Sequence, residues 1–259
     1  MKKYDYFIMI ASSRSGHNFV KNNILSWLGI FNEEDANTTR KKYGETHYLN
    51  FENTTQRAMN RKLELNKVYS KNILYVILVR DYLNWVASYI LLVKDKKERG
   101  IEKLHGIGEL YGNPLENMES AILIWNMLVK EVYTETNYLP IAIKANYDCF
   151  RKYQEYRKEI CKDIGGEYNE EYLNRVAKQG FYSSFDGLDY KYEAQKMKVD
   201  ERYLQIMETD CKDDYIKVLK SNNEALHLYK TYFNISQDKI DFLKDIIGPI
   251  KPLNKKCCK

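Results

Sequence analysis

The chain has 259 residues, enough for a single α/β domain spanning 1–259 with a core large enough to fold alone. Its net charge of +5 fits an anionic small ligand and a weak nucleic-acid surface alike, and so decides little. The five cysteines (149, 161, 211, 257 and 258) are odd in number and form no C-x-x-C pair, which argues against a disulfide framework or zinc site and for a reducing cytoplasm.

Tyr6 to Ala11 is a short apolar run of the kind that forms a strand covered on both faces. Lys2 and Lys3 ahead of it imitate a signal peptide. Asp5 breaks that pattern and Arg14 follows closely, so the run reads as a first core strand. Ser12, Ser13, Arg14, Ser15 and Gly16 come next, small and polar with one fixed cation. Phe19, Ile24, Leu25 and Leu28 then recur at helical spacing. A strand that feeds a helix through such a turn gathers free backbone N–H groups and the positive helix end at one point, a ready site for phosphate or sulfate. The turn is P-loop-like but is not a Walker A loop, because Gly16 is followed by His17 and Asn18 where G-K-[ST] is required.

Tyr43 to Phe51 alternates weakly, as a short edge strand or a loop would. Thr54 to Asn66 is compatible with a helix. Ile73 to Val79, ILYVILV, is the strongest strand of the chain, continuous and β-branched, hence central and parallel. It ends at Arg80-Asp81, and Leu83, Val86, Ala87, Ile90 and Leu91 then follow a helical period. Lys94 to Pro114 carries four glycines without a clear pattern and reads as a lid or mobile loop. An amphipathic helix is expected over Leu115 to Tyr133, a strand over Leu139 to Lys144, and helices over Arg151 to Ile164 and Glu170 to Lys178. Gly180 to Tyr190 is turn-rich. Lys191 to Leu204, Tyr215 to Lys230 and Lys239 to Ile247 read as helices, the last broken by Pro249 and Pro252. No apolar stretch approaches the roughly 20 residues that span a bilayer. The order β-α-β-α-β predicts an α/β fold with a central parallel sheet flanked by helices and a ligand at the strands' C-terminal ends.

Four of these points resemble the sulfotransferases that use 3′-phosphoadenosine-5′-phosphosulfate (PAPS). The turn SSRSGHNF is similar to that family's 5′-phosphosulfate loop, [YP]-P-[KR]-S-G-T-T. Arg14, Ser15 and Gly16 match it, Ser13 replaces the Pro, and His17 and Asn18 replace two Thr. In VRDYLNWVAS, Arg80 and Ser88 stand at the spacing of the family's 3′-phosphate pair. An Arg offers a planar fork of donors and a Ser two turns along the helix adds a hydroxyl. This pair separates a PAPS site from an ATP site, which has no 3′-phosphate. Tyr147 resembles the family's Tyr-Glu-Asp segment, and Ser183 and Phe185 in YSSFDG resemble its adenine-contacting turn. The family's Arg-Lys-Gly run has no clear match, with Lys196, Lys198 and Arg202 as substitutes.

The resemblance implies sulfuryl transfer from PAPS to a hydroxyl or amine of a small molecule or glycan. It implies 3′-phosphoadenosine-5′-phosphate (PAP) as product, and neither metal nor nucleic acid. The donor site would comprise Ser12 to Phe19, Arg80, Ser88, Tyr147, Ser183 and Phe185. Arg14 would neutralise the leaving oxygen. THYL, residues 46–49, resembles the segment that carries the base in the cytosolic branch, which makes His47 the favoured base. Glu45 is the alternative, since other branches use a glutamate; on an extended segment the two share a side, and His17, inside the phosphate turn, is a third candidate. A kinase-like phosphotransferase and a non-catalytic nucleotide-binding protein are the competing readings.

Overall fold

The computed structural model describes residues 4, 6–12, 14–30, 44–48, 73–98, 114–134, 142–173 and 196–248. Four parallel strands, β1 (Tyr6–Ala11), β2 (Gly44–Tyr48), β3 (Ile73–Val79) and β4 (Ile143–Asn146), pair in the order β2-β1-β3-β4. Helices cover both faces. Side chains alternate across each central strand, which is why these strands read as unbroken apolar runs. Phe7, Met9 and Ala11 of β1, with Leu74, Val76 and Leu78 of β3, pack against α1 (His17–Trp27), α4 (Tyr147–Lys152) and α5 (Gln154–Ile164). Ile10, Tyr75, Ile77 and Val79 face the opposite way. They pack on α2 (Tyr82–Glu98), α3 (Pro114–Tyr133), the short α6 (Arg202–Gln205), α7 (Lys212–Ser221), α8 (Asn223–Tyr232) and α9 (Gln237–Ile247). Trp85 and Trp125 stack at the centre of that second layer, with ring centroids 6.2 Å apart.

Several expected boundaries move. Helix α2 runs on through Glu98, so Lys94 to Glu98 are helical and not part of a lid. Lys94 pairs with Glu98 one turn on and with Asp210 across the fold. Residues 99–113 lie outside the described set, as do Thr54 to Asn66 and Gly180 to Tyr190. Pro114 opens α3, where its missing N–H is no loss. The third expected strand lies further along, at Ile143–Asn146. The helix expected over Arg151 to Ile164 is two helices, because Tyr153 is extended between them. That expected over Tyr215 to Lys230 starts at Lys212 and breaks at Asn222. Of Lys191 to Leu204, residues 196–201 form turns and a helix starts only at Arg202.

The step from β4 to α4 is held by Asn146, whose side-chain oxygen accepts the N–H groups of Asp148 and Cys149 at 2.8 and 3.0 Å. Its amide nitrogen donates to the Tyr133 hydroxyl at 2.5 Å. Asn146→Ala should therefore cost about 0.5–2 kcal/mol in urea unfolding, while Asn146→Asp retains most of the cap. Equal losses in the two variants would assign the effect to the Tyr133 contact instead.

Candidate functional site

The strand order reverses between β1 and β3. β1 leads outward to β2, and β3 leads the other way to β4, so the C-terminal ends of β1 and β3 flank the crevice where ligands bind in open parallel sheets. Both predicted motifs lie at that edge. After β1 the chain turns through Arg14 (φ +66°) and Gly16 (φ +78°) into α1. Ser15 holds the turn closed, its hydroxyl donating to the Ser12 carbonyl at 2.7 Å. Gly16 is the N-cap of α1 and is obligatory: a Cβ there would lie 2.1 Å from the Tyr147 ring, and its φ disfavours any side chain. Gly16 offers no side-chain cap to α1 and the first turn holds no acidic residue, which favours an anion at the positive helix end. The Ser12 hydroxyl is buried and has no partner among the described residues.

After β3 comes Arg80, only 5% exposed. Its Nη1 donates to the Arg14 carbonyl at 2.8 Å and lies 3.4 Å from Ser88 Oγ; its Nη2 donates to the Val199 carbonyl at 2.8 Å. The left-handed residue of the first turn is thus tied directly to the cation of the second motif. Arg80 Nε is buried and has no acceptor among the described residues. The guanidinium sits 5.3 Å from the Tyr147 ring centroid, and Arg151 approaches the same ring at 5.9 Å. Tyr147 therefore rests between Gly16 and two arginines, which joins a third predicted point to the first two. The Arg80 carbonyl accepts Trp125 Nε1–H at 3.0 Å, which ties the strand end to α3.

His17 is buried at the start of α1, while Asn18 and Phe19 are partly exposed. On edge strand β2 the register sets His47 beside Ile10 and Glu45 beside Ile8, so His47 is two residues nearer the sheet's C-terminal edge. The side chains of His47 and Glu45 lie outside what the structure describes, as do Ser13, Ser183 and Phe185. Of the three substitutes for the Arg-Lys-Gly run, Lys196 and Lys198 are exposed, and buried Arg202 donates to Gln205 Oε1 at 2.8 Å. Their segment reaches Arg80 through the Val199 carbonyl, a contact that carries no side-chain signature in the sequence.

Sequence reasoning also missed a carboxylate centre behind Arg80. Asp81 Oδ1 accepts both the N–H and the side-chain amide of Asn84 at 3.0 Å. Its Oδ2 accepts the Tyr229 hydroxyl at 2.5 Å and Lys239 Nζ at 2.7 Å. Burial alone would raise the Asp81 pKa; the charge and hydrogen bond of Lys239, with those from Tyr229 and Asn84, outweigh it and hold it below the usual value. The Asp81 N–H donates to Asp148 Oδ2 at 2.6 Å. Burial first, and the Asp81 charge second, push Asp148 up to about 6, against the pull of Arg80, the Asp81 N–H and Lys239. The available signal was an acid placed directly after the strand-end arginine.

No protein-family model matches the chain, and no curated protein matches it. Among solved structures, the sulfotransferase domain from the curacin biosynthetic pathway is similar at 11% identity and a TM-score of 0.37, over 85% of this chain and 98% of that one. Retinol dehydratase, in complex with androsterone and the inactive cofactor PAP, is similar at 14% identity and a TM-score of 0.37, over 91% of this chain and 84% of that one. Likenesses of this size bear on neither activity nor ligand. Among the described residues no helix is long and apolar enough to cross a membrane.

The Asp148 carboxyl gives a pH test of the centre. Its folded-state pKa lies above the ordinary 3.8, so the folded chain keeps a proton that the unfolded chain has released. The corresponding stability is present at the acid end and is lost as pH rises through about 6. Asp148→Asn removes this component. Urea unfolding across that window should show stability falling less steeply with pH in the variant than in the wild type, and parallel profiles would refute the placement of this carboxyl.

Proposed function

We propose that the chain is a PAPS-dependent sulfotransferase acting on a hydroxyl or amine of a small molecule or glycan. The observation that carries this reading is the buried Arg80, its Nε without an acceptor among the described residues and its Nη1 beside Ser88, at the same sheet edge as the start of α1 at Gly16. That arrangement offers two anion-binding points on neighbouring strands, as a nucleotide phosphorylated at both 3′ and 5′ positions requires. A fixed cation with an open N–H, a hydroxyl two helical turns on, and a buried Ser12 hydroxyl are donors chemically suited to such a ligand.

The group that PAPS supplies is a sulfuryl group activated by its link to phosphate. Arg80 and Ser88 would hold the 3′-phosphate, with the Val199 carbonyl yielding its place on Nη2. The turn from Ser12 to Phe19 would hold the 5′ end through backbone N–H groups, and Arg14 would offset the charge that grows on the leaving oxygen. Ser183, Phe185 and Tyr147 would seat the adenosine, the Phe185 ring on the purine face. His47 would take the acceptor's proton, since its backbone lies nearer the reacting edge than that of Glu45.

Isothermal titration tests the donor. Adenosine 3′,5′-bisphosphate should bind more tightly than 5′-AMP or ATP, and Arg80→Ala should remove most of that preference, a loss of roughly 1.5–3 kcal/mol. Equal affinities in the wild type would refute the reading, and preference for ATP would favour a phosphotransferase.

Transfer assays test the base. His47→Ala should abolish transfer and leave bisphosphate affinity nearly intact, with Glu45→Gln mild. The wild-type rate should fall as pH drops through the imidazole range, near about 6.5 for an unperturbed histidine. An inactive Glu45→Gln beside an active His47→Ala would move the base to Glu45. Bisphosphate binding with no transfer to any acceptor would leave a nucleotide-binding protein.

A further inference from the structure

Lys239 stands on α9, 158 residues beyond Asp81, yet its ammonium lies 2.7 Å from Asp81 Oδ2. Asp81 is buried and Lys239 partly so, with side chains 8% and 12% exposed. Burial opposes the lysine's charge, but Asp81 first, then Asp148 and Asp200, raise its pKa above the ordinary value and keep it a cation. The Tyr203 ring covers the ammonium at 5.5 Å. Asp200 is itself 3.4 Å from Arg151, and the Tyr229 hydroxyl that shares Asp81 Oδ2 stays protonated, its pKa pushed well above ordinary by burial and by Asp81.

The main-chain N–H of Asp81 donates to an Asp148 oxygen, the charges of Arg80 and Asp81 both act on the Asp148 carboxyl, and Asp81 directly follows Arg80 in the chain. With no other cation, the two carboxyls would satisfy the arginine's charge and repel a phosphate that approaches it. Charges in such surroundings act over several ångströms, because little water screens them. Lys239, bonded to Asp81 Oδ2, supplies a second positive charge. Two cations then face two carboxyls before any ligand arrives, and Arg80 keeps its attraction for an anion.

We propose that Lys239 is a positioning residue for the anion site, which cancels the Asp81 charge so that Arg80 remains available to the 3′-phosphate. The inference rests on the donor reading above. It assigns a role to the C-terminal helices, which contribute none of the residues of the two donor motifs.

The test compares adenosine 3′,5′-bisphosphate with 5′-AMP by titration on the full chain, because only the first ligand carries the 3′-phosphate. Lys239→Met keeps much of the stem and removes the charge. It should lower the bisphosphate preference on the order of tenfold and leave 5′-AMP affinity nearly unchanged. Lys239→Arg should retain the preference. The double variant Lys239→Met with Asp81→Asn removes both charges and should regain most of it, and this neutral pair carries the test if the single variant fails to fold. A packing role predicts the opposite pattern, with both nucleotides weakened alike and no repair by Asp81→Asn. A folded Lys239→Met variant with wild-type preference, or a folded double variant without it, overturns the inference. A wild type that binds the two nucleotides alike instead fails the donor reading and removes the inference with it.

Discussion

A guanidinium buried at the end of a central strand sets the terms for everything around it. A guanidinium offers only donors, so each N–H group of Arg80 needs an acceptor or waits for one. The fold supplies two main-chain carbonyls, from Arg14 and Val199, and the Ser88 hydroxyl. Those partners come from the β1–α1 turn, from the segment before α6 and from α2. One side chain therefore fixes three elements relative to the sheet edge. The left-handed backbone at Arg14, which costs about 1 kcal/mol or more for a non-glycine residue, accompanies a carbonyl aimed at Arg80.

Asp81 performs the complementary task one residue later. As the residue before α2 it accepts the Asn84 N–H and so begins the helix that carries Ser88. Through Tyr229 and Lys239 it anchors α8 and α9 to the same point. The strand end, the helix that carries the second half of the motif, and the C-terminal helices thus meet at a single carboxylate. Four donors converge on it, as a buried charge requires.

What the sequence revealed divides along physical lines. β3 was legible because a strand buried on both faces must be apolar throughout, and no exposed segment has reason to be. The turn after β1 was legible because small residues and a glycine are needed where the chain reverses against the Tyr147 ring. The spacing of Arg80 and Ser88 survived into geometry because two helical turns fix it locally. Boundaries that depend on tertiary partners were not legible. Tyr153 interrupts a good helical period because its backbone is extended between the two helices, the first of them capped by Asn146. Lys94 to Glu98 read as loop by their mixed charge, yet continue α2 with Asp210 as a partner from another element. The Asp81–Lys239 pair and the Val199 carbonyl lie more than a hundred positions from their partners, beyond any local pattern.

The two halves of the site differ in how they are built, and the difference bears on how each would respond to a ligand. The β1–α1 turn is a strand–helix corner closed by Ser15 and packed under Tyr147, so an anion bound there would meet main-chain groups already in place. The Arg80 half presents a side chain whose Nη2 is already given to the Val199 carbonyl. An anion seated on Nη2 would replace a neutral carbonyl with a charged oxygen, and its full opposite charge adds an attraction to the guanidinium that the carbonyl does not offer. The exchange would also release the segment before α6 from its hold on the sheet edge. Occupancy of the second anion point would then be coupled to the position of residues 196–201, whereas occupancy of the first would require no such rearrangement.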